Sequence, residues 1–157
     1  MDDNTRNEAR DYAWKYFQFH AEQRLKTFNF YLIIATVLSG GLFSILTNDT
    51  FPYKQWCSLL GFLLFFISFI FWRLERRNRQ LVDNGEMALK HLDSQWNLSD
   101  EHKSLEIFER DNEAMEYIHF IPKVGIRLRY SICFNLVYFT FGIFGFVIGF
   151  MMLFFIT

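Results

Sequence analysis

The sequence predicts an all-α membrane protein with an N-terminal amphipathic helix, three transmembrane helices, and a cytoplasmic helical hairpin between the second and third spans. Three uncharged apolar runs carry this prediction, at residues 28–46, 56–72 and 132–156. A helix rises about 1.5 Å per residue and a bilayer's hydrocarbon core is about 30 Å thick, so each run is long enough, or nearly so, to cross it. The runs lack the apolar/polar alternation of barrel strands, so they are expected to be helices.

The chain divides into four predicted segments. Residues 1–27 form the amphipathic helix, because apolar side chains recur on one side of it, among them Ala9, Ala13 and Phe17. Residues 28–72 form a transmembrane hairpin with spans at 28–46 and 56–72. Residues 73–129 form the helical hairpin, and residues 130–157 form the third transmembrane helix.

The hairpin is predicted from two helical patterns separated by a break. The first helix continues from span two to about Trp96, with a loose heptad stripe that Gly85 weakens: Leu74, Leu81, Ala88 and Leu92. The second helix starts at the N-cap Ser99-Asp100 and ends near His119, ahead of Pro122. Its apolar face consists of Leu105, Phe108, Met115 and Ile118.

Basic residues beside the spans predict the orientation in the membrane. Such residues favour the cytoplasmic side, and they flank the inner ends of all three spans: Arg24 and Lys26, then Arg73, Arg76, Arg77 and Arg79, then Lys123, Arg127 and Arg129. The N-terminus and the middle segment are therefore expected in the cytoplasm, and Thr157 on the opposite side.

The arginines after span two are candidate ligand contacts. Arg73, Arg76, Arg77 and Arg79 form a basic collar that is suited to anionic headgroups of the lipid bilayer. In a ring of copies, the same collar would suit a phosphate-bearing ligand. Beyond it, residues 83–116 hold ten acidic and three basic residues, which keep the hairpin soluble or form a cation-attracting rim.

Span three carries closely spaced glycines. Gly142, Gly145 and Gly149 include a G-x-x-x-G pair, which favours close approach of helices. The same span is rich in phenylalanine, and rings of such side chains face lipid or close a pore by dewetting. The glycines are therefore candidates for helix packing or for a pore.

The spans contain no Asp, Glu, Lys, Arg or His, which argues against a pump or a proton-coupled transporter. No P-loop, H-E-x-x-H or paired C-x-x-C is present, so neither an enzyme nor a bound metal or cofactor is predicted. Cys57 and Cys133 fall at opposite ends of their spans, so no disulfide between them is expected.

A polar stripe precedes span one. His20, Gln23 and Arg24 lie at helical spacing just inside the membrane, and Asn29 sits in the first turn of the span. These four residues are candidates for gating or for coupling between subunits, because the stripe could hydrogen-bond a neighbouring subunit or the basic-collar region and carry movement of the cytoplasmic segment into span one. An interfacial anchor, with Arg24 on a lipid phosphate, is the alternative interpretation.

The segment around this stripe, residues 16–32, resembles the Y-F-x-x-H-A-x-Q-R-L-x-x-F-N-F-Y signature of RipA-like octameric membrane proteins of bacteria. By architecture the chain is also similar to membrane effectors of antiphage defence, namely SLATT-type proteins and the channel subunit of the Hailong system. In such systems a nucleotidyltransferase partner makes a nucleotide or a short DNA oligomer that gates a membrane pore.

The resemblance implies a homo-oligomeric, ligand-gated ion channel of the bacterial inner membrane that depolarises the cell, with its C-terminus in the periplasm. Its partners would be further copies of itself, the lipid bilayer and the nucleotidyl signal. The alternative is a non-conducting membrane scaffold that recruits cytoplasmic partners.

Overall fold

The computed structural model describes residues 3–48, 56–94 and 130–155. Over these ranges the chain forms three helices: α1 (Asp3–Thr47), α2 (Trp56–Ser94) and α3 (Tyr130–Phe155). Each contains a stretch that is long and apolar enough to cross a membrane, which confirms the all-helical fold with three candidate spans. The second helix predicted for the hairpin, near residues 100–119, and the basic residues Lys123, Arg127 and Arg129 lie outside the described ranges.

Helices α1 and α2 continue well beyond the predicted spans. The 45 residues of α1 include both the predicted amphipathic segment and span one, since no proline or glycine interrupts the chain before Gly40. The 39 residues of α2 join span two to the first helix of the predicted hairpin. Both helices therefore contribute to two compact units, which contain residues 1–23 with 78–127 (unit 1) and residues 24–77 with 128–157 (unit 2).

Within unit 1, the N-terminal part of α1 packs against the C-terminal part of α2. Arg10 forms an ion pair with the largely buried Asp93 at 3.5 Å. A Cβ atom added at Gly85 would lie 3.1 Å from the Cα atom of Phe17. Glycine thus brings the two backbones close together here, which differs from the weakening role expected for it.

The buried side of α2 in unit 1 is offset by one residue from the predicted heptad stripe. Ala88 of that stripe is exposed, whereas the neighbouring Leu89 is 2 % exposed. Asn78, Gly85 and Asp93 are also buried, so these positions recur at heptad-like spacing. The buried positions of α2 in unit 1 thus combine two polar residues and a glycine with Leu89.

Unit 2 encloses its core between α1, α2 and α3. The centre is Tyr31 of α1, whose ring lies 4.6 Å from Tyr138 of α3 and 5.3 Å from Phe71 of α2 between ring centroids. Leu42, Leu64 and Cys57 are fully buried nearer the other end of the helices. Cys57 is buried, Cys133 is exposed, and no disulfide joins them.

Candidate functional site

A buried ion pair joins α1 to α2 at the end of unit 2. The Arg24 Nε atom donates a hydrogen bond to Glu75 Oε1 at 2.8 Å, and its Nη2 atom contacts the same oxygen. The Glu75 side chain is 2 % exposed and that of Arg24 is 16 % exposed. A charge removed from water to this degree is costly unless it is paired, so each residue depends on the other.

The third helix completes this arrangement. The Arg24 guanidinium lies 5.1 Å from the centroid of the Phe134 ring of α3, at cation–π distance. The Phe134 ring also stacks against the Phe28 ring of α1, with ring centroids 3.9 Å apart. One arginine of α1 therefore contacts an acid of α2 and an aromatic ring of α3. We call Arg24, Glu75 and Phe134 the arginine node.

A second polar contact lies deeper in the core. The hydroxyl groups of Tyr31 and Ser68 are 2.9 Å apart, and Ser68 Oγ donates to the Leu64 carbonyl oxygen at 2.8 Å. The buried Tyr138 hydroxyl and Asn135 Oδ1 have no hydrogen-bond partner among the described residues. The three helices thus hold polar groups in their interior, where lipid cannot solvate them.

The glycines of α3 lie where α2 approaches most closely. A Cβ atom added at Gly145 would lie 2.7 Å from the Gly61 carbonyl oxygen, and one added at Gly149 would lie 3.2 Å from the Ser58 carbonyl oxygen. Ser58 Oγ also donates to the Gly149 carbonyl oxygen at 3.0 Å. Gly142 faces Ser68 in the same interface. All three predicted glycines therefore contact α2 of their own chain.

The predicted arginine contacts flank Glu75 on α2 but differ in exposure. Arg73, Arg76 and Arg77 are exposed on unit 2, and the Arg76 guanidinium lies 5.2 Å from the centroid of the Trp72 ring. Arg79, in unit 1, is half-buried and forms an ion pair with Asp83 at 3.6 Å. Three of the four guanidinium groups are thus accessible to a phosphate on one exposed turn of α2.

The four predicted coupling residues of α1 do not form one cluster. Arg24 points into the arginine node, while Asn29 is exposed, about 140° further around the helix at 100° per residue. His20 contacts the aromatic rings of Tyr16 and Phe19 in unit 1 at centroid distances of 4.4 and 5.2 Å. Gln23 is exposed at the end of the same unit.

Unit 1 also has an apolar groove of about 380 Å³ between α1 and α2. Small and aromatic side chains line it, with His91 and Asn84 as the polar members: Ala9, Tyr12, Ala13, Tyr16, Asn84, Gly85, Ala88, His91 and Leu92. Neither lysine nor arginine belongs to this lining, so the groove does not suit a phosphate group. Among the described residues, no cluster of three His, Cys, Asp or Glu side chains could hold a metal ion.

Glu75 is the functional candidate that sequence reasoning missed. Glu75 is the single acid in the run from Arg73 to Arg79. That isolation among four arginines, three residues after an apolar span, was the available signal. Its partner Arg24 lies 51 residues away in sequence and is not identifiable from local spacing.

Comparisons with known proteins agree with this architecture. Residues 7–156 match the sequence profile described as the octameric membrane protein family (8xMP). The chain is also similar to CD-NTase-associated protein 19 of Escherichia coli, with 38% identity over 106 residues, which cover 68% of this chain and 67% of that protein. No solved structure matches the chain at a significant level. A match over nearly the whole length, on a chain of three membrane-crossing helices, shows that this protein belongs to the octameric membrane protein family.

Proposed function

We propose that the protein is a homo-oligomeric ion channel that acts as a membrane-depolarising effector in bacterial antiphage defence. The observation that carries the proposal is the similarity to CD-NTase-associated protein 19, a protein named for its association with a CD-NTase. The family description adds that its members are octameric membrane proteins. Together they support a self-associating membrane effector in antiphage signalling, and conduction of ions is the step that we add.

The interior of unit 2 favours conduction between copies rather than through one chain. Tyr31, Leu42 and Leu64 fill the space between the three helices and are fully buried. A chain whose three spans pack together in this way leaves no room for an aqueous path along its own core. Water and ions would therefore cross at the centre of a ring of copies.

The exposed arginines of α2 provide a binding site for an anionic signal. One turn at the end of an apolar span carries Arg73, Arg76 and Arg77. A guanidinium group donates two parallel hydrogen bonds to the oxygens of one phosphate. Among the described residues, Arg73 and Arg77 have no acidic partner that would compete. Arg79, which already pairs with Asp83, would have to exchange that partner.

The arginine node is suited to transmit the signal. Glu75 lies between Arg73 and Arg76 in sequence. A ligand that shifts this turn of α2 would therefore act directly on the hydrogen bonds that Arg24 donates to the Glu75 carboxylate. Because Arg24 also contacts Phe134, α1 and α3 would respond together. In the orientation predicted from the basic residues, this turn faces the cytoplasm, where a nucleotidyltransferase would release its product.

Purified protein in liposomes tests the proposal. We expect ion flux that changes on adding nucleotidyl signals, for which cyclic dinucleotides and short single-stranded DNA oligomers are the probes. The triple variant R73Q/R76Q/R77Q should lose the response to the probe but keep its oligomeric size. The matched control is Lys15→Gln, which removes an exposed cation of unit 1.

Two results would overturn the channel. The first is the absence of flux from correctly sized oligomers with every probe and with lysate of phage-infected cells. The second is unchanged membrane potential in cells that express the protein beside its partner genes during infection. If a stable cytoplasmic protein co-purifies in that case, the non-conducting scaffold is the correct function.

A further inference from the structure

The outward side of α1 in unit 2 differs from that of the other helices. Between residues 28 and 47, the exposed positions of α1 include four polar side chains and one glycine: Asn29, Thr36, Gly40, Ser44 and Thr47. At 100° per residue these five positions fall within a sector of about 80° on one side of the helix. They extend over about 27 Å of helix, nearly the thickness of the hydrocarbon core.

The exposed sides of the other two spans are apolar. On α2 the exposed span positions are aromatic or aliphatic: Trp56, Leu59, Leu63, Phe66, Phe69 and Ile70. On α3 the exposed side is again mostly aliphatic and aromatic, with Cys133 and Thr140 as exceptions. The exposed side of α1 also includes large apolar residues, but unlike the other two it carries a row of polar and small positions beside them; the apolar members are Phe30, Ile33, Val37 and Phe43.

Among the described residues, the polar groups of this α1 face either lack a hydrogen-bond partner or bond to their own backbone. Ser44 Oγ donates to the Gly40 carbonyl oxygen at 2.9 Å, and Thr47 Oγ1 donates to that of Phe43 at 3.0 Å. In the described part of the chain, the Asn29 and Thr36 side chains make no hydrogen bond. An unpaired amide in hydrocarbon costs several kcal/mol, roughly, so this side requires water or protein next to it.

We infer that the face of α1 formed by Asn29, Thr36, Gly40, Ser44 and Thr47 lines the aqueous path at the centre of the oligomer. This inference rests on the proposed channel function and names the span that forms its wall. An aqueous path needs polar or small side chains along its wall, and this face has them on both sides of Ile33.

One large apolar side chain interrupts the polar face. Ile33 lies between Asn29 and Thr36 in the same sector and is 63 % exposed. A ring of such side chains, one from each copy, forms the hydrophobic constriction at which a narrow path dewets. Ile33 is therefore the position where the closed path is blocked.

Single cysteines on the α1 face test the inference in liposomes. The background variant is Cys133→Ser with the fully buried Cys57 retained, and it should not react with a membrane-impermeant thiosulfonate reagent. Thr36→Cys, Gly40→Cys and Ser44→Cys should then be modified, with loss of ion flux. The matched controls Leu63→Cys and Ile143→Cys, at exposed apolar positions of α2 and α3, should remain unmodified.

Failure of the inference is distinguishable from failure of the channel. In one outcome, the reagent blocks ion flux in Leu63→Cys or Ile143→Cys and not in the α1 variants. That result would support the channel function but overturn the inference that α1 lines the path. Where no flux is detected at all, the mass shift on labelling still decides whether the α1 face meets water. Protection of the α1 cysteines, together with disulfide cross-links between copies through Gly40→Cys, would identify this face as a dry subunit interface.

The constriction has its own readout. Ile33→Asn should raise ion flux in the absence of any signal, because a polar side chain keeps the narrow region wet. Val37→Asn, one turn further along and outside the polar sector, is the control and should leave basal flux unchanged. Equal basal flux in Ile33→Asn and wild type, with intact oligomers, would contradict the role given to Ile33.

Discussion

At the scale of single residues, the buried pair Arg24–Glu75 is the contact on which the end of unit 2 depends. Pairing a charge in a buried site offsets its desolvation only while both partners remain. The guanidinium also covers the Phe134 ring, so its loss removes an aromatic contact as well as a charge. Apolar side chains could in principle replace a pair of this kind. Under the proposed function, however, the pair is the contact that a ligand on the neighbouring arginines would displace.

Removing one member of the pair should destabilise the protein. We expect Glu75→Gln or Arg24→Gln to lower the free energy of unfolding by about 3–5 kcal/mol, since each leaves the other charge buried and unmatched. The double variant R24M/E75M should recover most of that loss. Thermal unfolding in detergent measures this, with Asp11→Asn, a member of an exposed pair, as control. Single variants as stable as the wild type would show that the pair is not buried in the oligomer.

Two tyrosines in the same core should respond differently to loss of their hydroxyl groups. Tyr31→Phe removes the bond to Ser68 and should cost about 0.5–1.5 kcal/mol. Tyr138→Phe removes a buried hydroxyl that has no partner among the described residues, so stability should stay equal or rise. Unfolding midpoints of the two variants, measured side by side, check the order. A larger loss for Tyr138→Phe would reveal a partner in another copy.

At the scale of helices, glycines decide how α2 and α3 meet. Gly61 faces both Gly145 and Gly149, so three glycines from two helices remove side-chain volume at one crossing. The close approach also permits the Ser58 contact with the Gly149 carbonyl oxygen. Since this surface is used inside the chain, association between copies must use other faces. The polar side of α1 and the apolar sides of α2 and α3 are what the described chain offers.

An added methyl group at this crossing should push the helices apart. In Gly61→Ala the new Cβ atom would lie 2.7 Å from the Gly145 carbonyl oxygen, a distance that real contacts do not reach. We expect a loss of about 1–3 kcal/mol in stability, as for other overpacked sites. Gly40→Ala is the matched control, because its Cβ atom meets nothing and alanine favours the helix. Equal unfolding midpoints for the two variants would contradict the close crossing.

At the scale of the whole molecule, the three candidate spans of the described residues would place the two ends of the chain on opposite sides of a membrane. Family membership and three membrane-crossing helices support a membrane location. Which end faces the cytoplasm is our proposal from the basic residues beside the spans. It determines whether the arginines of α2 meet a signal made inside the cell.

Fusion reporters check this orientation in the full-length chain. Alkaline phosphatase joined after Thr157 should be active, because it folds in the periplasm, while green fluorescent protein at the same point should be dark. Fluorescent protein joined before the first residue should be bright. The reverse pattern would place Arg73, Arg76 and Arg77 in the periplasm, and with it the proposed cytoplasmic signal would be wrong.

The sequence by itself determined the helical class, the three apolar stretches and their approximate bounds. These properties depend on the composition of about 20 neighbouring residues, because that many residues in a helix cross the hydrocarbon core of a bilayer. The continuation of α1 from its amphipathic segment into span one was likewise readable, because no proline or glycine interrupts it. The family resemblance around residues 16–32 agreed with the match over residues 7–156.

Only the tertiary structure decided which residues meet. Arg24 was expected to contact a neighbouring subunit, the basic-collar region or a lipid phosphate, and the structure pairs it with Glu75 within that region. Tyr31 bonds Ser68, 37 residues away in sequence. The buried side of α2 in unit 1 includes Gly85, where α2 approaches Phe17 of α1 closely, and Leu89 rather than Ala88. Partners across helices depend on rotation and register, which are set by how three surfaces fit together. A single helical pattern, read on its own, does not contain that information.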